Sequence, residues 1–315
     1  MKSIICPFCE NTDFISVCRI NLGGLSEREV VRCTNCRLAF VNPLPTEDEL
    51  QRFYVQQYFL SDDPRWGFCN YFANRKSQYL QGRIIARRLR RWKPHGRVLD
   101  VGCATGFLLE GIRDHCTWEV FGIEISEWAV KIARTQLGLN VTLGTLEKAE
   151  FPDNFFDIIL LNDILEHVRD PLQFLTTVYA RLASGGKVFL RVPNGRCDIL
   201  PFVQDYQKGY VRVQTQAHLY YFEPEVLQRI LIAIGFCIDQ VTGYGLKAGL
   251  KDLGILRRKT QVFEKTNLQQ AQSETIISDK KHGLLEEWSY RLTHLPVLPF
   301  LRSFAHELHI WAKKI

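Results

Sequence analysis

A doubly wound α/β fold, with a mostly parallel sheet covered by helices on both faces, is predicted for the larger part of this 315-residue chain. Two observations predict it. From Val98 onward, short apolar runs alternate with amphipathic segments, the pattern of strands returning through helical crossovers. The first run, Val98 to Val101, passes directly into a turn bounded by Gly102 and Gly106, and a helix-like Phe107-Leu108-Leu109-Glu110 follows. A strand, a tight turn and a helix start together make a nucleotide-sized pocket. Apart from this pattern stand two C-x-x-C pairs, Cys6/Cys9 and Cys33/Cys36.

Those four cysteines suit a tetrahedral four-thiolate zinc site of the ribbon type. With sulfur at every position the metal has no open site, so its role is structural, and in so small a module its binding contributes on the order of 10 kcal/mol of folding energy. Residues 1–60 are read as zinc ribbon and linker, with an aromatic cluster at Tyr54, Tyr58 and Phe59. Residues 61–315 are read as one larger domain. A helix is predicted from about Tyr71 to Trp92, with Ile84, Ile85 and Leu89 on its inner side, and Pro94-His95-Gly96 punctuates the entry to the first strand.

Later strands are predicted at Trp118 to Ile123, Asn140 to Leu143, Phe156 to Leu161, Lys187 to Val192 and Phe236 to Val241. Helices are predicted at Ser126 to Leu137, Pro171 to Leu182 and Pro224 to Ile234, with Ser184-Gly185-Gly186 as the stop of the second. Insertions near 193–222 and 243–305 fall at the carboxyl edge of the sheet, where substrate specificity is usually carried.

Spacing decides which nucleotide the turn suits. A dinucleotide fingerprint needs glycine at 104 and 107, where the chain has Ala104 and Phe107. Asp100-x-Gly102-x-x-x-Gly106, with Glu124 closing the next apolar strand, instead resembles the class I S-adenosylmethionine-dependent methyltransferases, and the amino-terminal cysteines resemble a zinc-ribbon subfamily of them. The resemblance covers residues 95 to 242. It implies a Rossmann-like seven-stranded sheet, with His306 to Lys313 as the seventh strand, and a cofactor site of Asp100, Gly102, Cys103, Ala104, Gly106, Glu124, Ile125, Leu146, Asn162 and Asp163. Glu124 would accept hydrogen bonds from both ribose hydroxyls. Gly144-Thr145-Leu146-Glu147 resembles the loop along the adenine.

Methyl transfer needs an aligned nucleophile and a group that takes its proton. His167, His218 and Asp163 are the candidates. Glu-His-Val segments like Glu166-His167-Val168 also serve to anchor the following turn. Asp163-x-x-Glu166-His167 resembles, with Asp in place of Glu, a magnesium site of ubiquinone-pathway and small-RNA O-methyltransferases. The Pro-Pro tetrapeptide of amino-group methyltransferases is absent, and no cysteine follows a proline as cytosine C5 chemistry commonly requires. Oxygen of a small molecule or saccharide, such as a nucleotide sugar or glycan, is the expected acceptor. Carbon methylation of a sugar, RNA methylation and a non-catalytic binding module are the alternatives.

The formal charge of +6, smaller by two once four thiolates hold a zinc ion, is too modest to imply nucleic acid. An arginine-rich run (Arg83, Arg87, Arg88, Arg90, Arg91, Lys93) reads first as a solvated helix face and second as a site for an anionic acceptor. Six cysteines without a disulfide framework, no leader-like start and no apolar run of membrane-spanning length lead to a cytoplasmic expectation. Leu284 to Phe304 is apolar enough for core packing or for a peripheral membrane contact.

Overall fold

The computed structural model describes residues 4–23, 26–51, 71–246, 248, 250, 296, 302 and 304–315. Most of the linker aromatics, the insertion at 243–305 and the apolar stretch from Leu284 lie outside the described residues.

Seven strands form the main sheet: β4 (Arg97–Val101), β5 (Glu119–Glu124), β6 (Asn140–Leu143), β7 (Phe156–Asn162), β8 (Leu182–Pro193), β11 (Phe236–Tyr244) and β12 (Glu307–Lys314). Their order is β11-β12-β8-β7-β4-β5-β6. Only β12 runs against its neighbours, pairing antiparallel with both β11 and β8. The Rossmann-like α/β expectation is met, including the late strand that closes between β8 and β11.

Alternate residues of each strand serve opposite faces. On one side, Leu99, Ile159 and Leu190 join a core with helices α5 (Pro171–Arg181) and α7 (Pro224–Ile234). On the other, Val98, Ile158, Leu160 and Phe189 meet helices α2 (Arg75–Trp92), α3 (Phe107–Arg113) and α4 (Glu127–Thr135). Helices α2 and α3 touch backbone to backbone: a Cβ on Gly82 would stand 2.1 Å from the Leu108 carbonyl oxygen, and one on Gly111 2.2 Å from that of Tyr79.

A second, five-stranded sheet holds the amino-terminal residues. Strands β1 (Phe14–Leu22), β2 (Ser26–Cys33) and β3 (Ala39–Asn42) form an antiparallel meander, preceding the short helix α1 (Glu47–Gln51). After β8 come helix α6 (Gly195–Gln207) and strands β9 (Arg212–Gln214) and β10 (Tyr220–Tyr221), which complete that sheet in the order β10-β3-β2-β1-β9. The ribbon is thus built partly from the insertion at 193–222. Buried Glu223 locks the joint by pairing with Arg32 of β2 at 3.3 Å and Arg196 of α6 at 2.9 Å.

Two local readings are corrected. Helix α5 ends at Arg181 with Leu182 as an extended C-cap. Ser184-Gly185-Gly186 lies instead inside β8, where Gly185 (φ +72°) bends the strand and the register against β7 jumps from Phe156↔Leu182 to Ile158↔Lys187. On α2 the buried face is Tyr79, Leu80, Gly82, Ala86 and Leu89, while Ile84 and Ile85 are only half-buried. They border a cavity described below.

Candidate active site

At the carboxyl edge of the parallel strands, where β4, β5 and β7 end, lies a cavity of about 450 Å³. The turn after β4 forms its floor. Gly102 (φ +69°) and Gly106 (φ +84°) adopt the left-handed conformation. A Cβ on Gly106 would stand 2.4 Å from Leu139 Cδ1, and one on Gly102 2.1 Å from Ile164 Cδ1; both are movable side-chain ends, so the backbone angle is what calls for glycine here.

The amides of this turn are largely spent inside the protein. Gly102 and Cys103 N–H both donate to the Ile123 carbonyl, at 2.8 and 3.0 Å, and Ala104 N–H donates to Glu124 Oε2 at 2.9 Å. Ser126 N–H takes the other oxygen of Glu124 at 2.8 Å. The turn therefore offers no nest of free amides to a phosphate. It fixes a carboxylate at the end of β5 instead. Burial raises the pKa of Glu124, opposed by the amides of Ser126, Ala104 and Ile125.

Asp100 sits deeper, 4% exposed, and burial pushes its carboxyl up to about 7 against a hydrogen bond from Asn162 Nδ2 at 3.2 Å and the charge of Arg191. Asp163 caps β7 with φ +53°, and Ala104 has φ +48°, both rare for residues with a side chain and concentrated at functional sites elsewhere. The Asp163 carboxylate pairs with Arg191 of β8, whose Nη1 also donates to Gln81 Oε1 at 3.0 Å. Ile125, Leu146, Gly144 and Val101 supply apolar and backbone wall.

All the expected cofactor residues except Gly106 line this cavity; Gly106 supports it from behind. The pocket suits a molecule with an apolar planar end, a hydroxyl-bearing middle and a cationic end, because acids, and no nest of free backbone amides, face it. An S-adenosyl sulfonium nucleoside has those features.

The catalytic candidates separate. His167 borders the cavity, yet burial and the nearby His218 charge depress it to about 3, and its Nδ1 lies 3.3 Å from the Ala217 carbonyl. His218 does not line the cavity. Burial opposes its charge, but Asp198, 2.7 Å from Nδ1, and Glu166 lift it to about 9. Glu166 is 1% exposed, and burial raises it to about 8 against the charge of His218. Donor atoms of Glu166, His167 and His218 lie within 4.8 Å of one another, a group that could hold a metal ion. Asp163 is not among them, since its carboxylate is turned to Arg191.

The four ribbon thiols also gather within 4.8 Å, with Cys6 to Cys36 and Cys9 to Cys33 each at 3.5 Å. Tetrahedral zinc thiolates, at Zn–S distances of about 2.3 Å, stand about 3.8 Å apart, so the cluster is compatible with zinc.

Sequence reasoning missed Gln81, Arg191 and Glu307 on the cavity wall. Alternation in the last strand was the available sign: Glu307, His309 and Trp311 share one face of β12, while Leu308, Ile310 and Ala312 fill the core on the other.

A family described as a methyltransferase domain matches residues 71–241. A ubiquinone biosynthesis O-methyltransferase of Coxiella burnetii is 34% identical over 102 residues, 31% of this chain and 43% of that one. Its counterpart from Idiomarina loihiensis is 28% identical over 143 residues, 42% of this chain and 58% of that one. The match thus spans about half the length of these curated relatives. A SAM-dependent methyltransferase of Thermotoga maritima superposes with a TM-score of 0.49 at 19% identity, covering 78% of this chain and 93% of that one.

Proposed function

Because this chain belongs to the family of methyltransferase domains, we propose that it transfers the methyl group of S-adenosylmethionine to an oxygen of a small-molecule or saccharide acceptor. The observation that carries the reading is the acid-lined cavity at the carboxyl edge, with the Glu124 carboxylate fixed by two backbone amides. O-methylation is the activity for which the Coxiella and Idiomarina relatives are named.

When bound, S-adenosylmethionine supplies an electrophilic methyl group on a sulfonium centre. Of the residues lining the cavity, Glu124 would hold the ribose hydroxyls, Ile125 and Leu146 would flank the base, and Asp100 and Asn162 would face the cationic end. The chain contributes chiefly alignment and exclusion of water. Asp163 stands on the cavity wall, oriented by Arg191, and takes the proton leaving the acceptor hydroxyl. His167 and His218 act as positioning residues, holding the turn after β7 through Ala217 and Asp198. Cys6, Cys9, Cys33 and Cys36 would hold a structural zinc, and the expected result of metal analysis on the purified protein is one zinc per chain.

The test is incubation with methyl-labelled S-adenosylmethionine and a fractionated extract, followed by identification of the labelled product. Label on an oxygen supports the reading. Cofactor binding with no label transferred in any fraction favours a non-catalytic binding module. Asp163→Asn lowers kcat by about 100-fold with little change in the KM for the donor, the scale of a lost proton acceptor.

A further inference from the structure

Beside the cofactor cavity lies a second one of about 660 Å³, on the face of the sheet that carries α2. Its floor is set by register. Gln240 of β11, Trp311 of β12 and Phe189 of β8 form one cross-strand row, and Thr242, His309 and Arg191 form the next. Because side chains alternate across a strand, both rows project to the same side.

The rings are packed as a platform. Phe189 and Trp311 have centroids 4.8 Å apart, and Tyr244 and His309 4.1 Å apart. Above it, α2 contributes Gln81, Ile84, Ile85, Arg88 and Arg91, residues at helical spacing. This placement accounts for the two isoleucines that the core leaves half-buried.

Arg88 and Arg91 bring cationic charge to this wall, and the Glu307 carboxylate that also borders the cavity is engaged by His309 and Arg191. The Arg88 guanidinium lies 4.0 Å from the Trp311 ring centroid and donates to Gln240 Oε1 at 3.0 Å, contacts that orient it without neutralising it. Neither Arg88 nor Arg91 makes an ion pair with a carboxylate among the described residues. Arg191 differs, being neutralised by Asp163. Continuity with the reacting edge is direct: Gln81, Asn162, Arg191 and Glu307 border both cavities.

We propose that this second cavity is the acceptor site and that it takes a ring-bearing phosphate ester, its ring against the half-buried Tyr244–His309 pair and its phosphate against Arg88 and Arg91, with Trp311 beneath Arg88 as its support. The proposal rests on the methyltransferase reading and adds to it the chemical class of the acceptor. A ring seated on the floor stands beside the wall shared with the cofactor cavity. Two guanidiniums supply charge-assisted, paired hydrogen bonds to phosphate oxygens.

Calorimetry on the full chain tests it, with uridine diphosphate and inorganic pyrophosphate as probes and S-adenosylhomocysteine as the control. The expected result has three parts. Both probes bind, uridine diphosphate at least threefold more tightly. The double substitution Arg88→Gln with Arg91→Gln raises both dissociation constants tenfold or more. S-Adenosylhomocysteine binds wild type and variant alike. Homocysteine-nucleoside binding with no heat from either phosphate probe overturns the acceptor site and leaves the methyltransferase reading standing. Probe binding that the double variant does not weaken overturns it as well, and uridine diphosphate binding no more tightly than pyrophosphate overturns the ring platform. Absence of all binding removes the reading and this proposal together.

Discussion

The two cavities share a wall and differ in almost everything else. The first is lined by Asp100, Glu124 and Asp163 and is built on turns at strand ends, where glycine and strained residues let the backbone bend tightly. The second is lined by arginines and aromatic rings and is built on a helix face and a flat stretch of sheet. Acids suit a cationic donor; guanidiniums suit an anionic acceptor. The divide between them is the Asp163–Arg191 pair, so opposite charges meet where the two ligands would meet.

The most severe way to break this contrast is to disturb what supports the divide. Asp198→Asn removes the acid that keeps the buried His218 charged, so the imidazole loses its proton at neutral pH, and costs about 3 kcal/mol, the equivalent of the lost pKa shift. Chemical denaturation reads the loss, and the His218 pKa falls from about 9 toward or below its ordinary value. Next comes the donor cavity alone. Glu124→Ala removes the acceptor for two ribose hydroxyls and weakens S-adenosylmethionine binding about 100-fold, while binding of uridine diphosphate to the second cavity is unchanged in the same calorimeter.

A smaller effect separates the cavities by pH. Asp100 is neutral below about 7 and a carboxylate above it. The charged form attracts a sulfonium, so donor affinity rises with pH, by about tenfold between pH 6 and 8 for a single group of this pKa. Asp100→Asn flattens the profile. S-Adenosylhomocysteine, which lacks the sulfonium charge, shows a weaker slope in the wild type. The smallest effect is expected on the ribbon sheet: Arg19→Ala removes an exposed pair with Glu27, which borders neither cavity, and changes stability by under about 0.5 kcal/mol, with both ligand affinities intact.

Legibility in the sequence followed the same divide. Asn140–Leu143 and Pro224–Ile234 are observed with the bounds that periodicity predicts, because a half-buried element repeats its apolar residues at a fixed interval. The donor cavity was visible for a related reason. Its turn, the acid after it and the end of β7 are each local runs of residues.

The second cavity is distributed. Its floor takes every other residue from three strands, two adjacent only through an antiparallel pairing of β12 that no local pattern announces. Strands β9 and β10, three and two residues long, carry no period at all, which hid the sharing of the ribbon sheet with residues 193–222. The glycines at 185 and 186 were misread because the same residues that stop a helix also bend a strand.

The central claim is that the cavity between Asp100 and Glu124 receives an S-adenosyl nucleoside. Its most direct test is isothermal titration of the zinc-replete chain at pH 8 with S-adenosylmethionine and S-adenosylhomocysteine in turn. One saturable site per chain for each, lost from Glu124→Ala, is the predicted result; a folded wild-type protein that gives no heat with either compound contradicts the account.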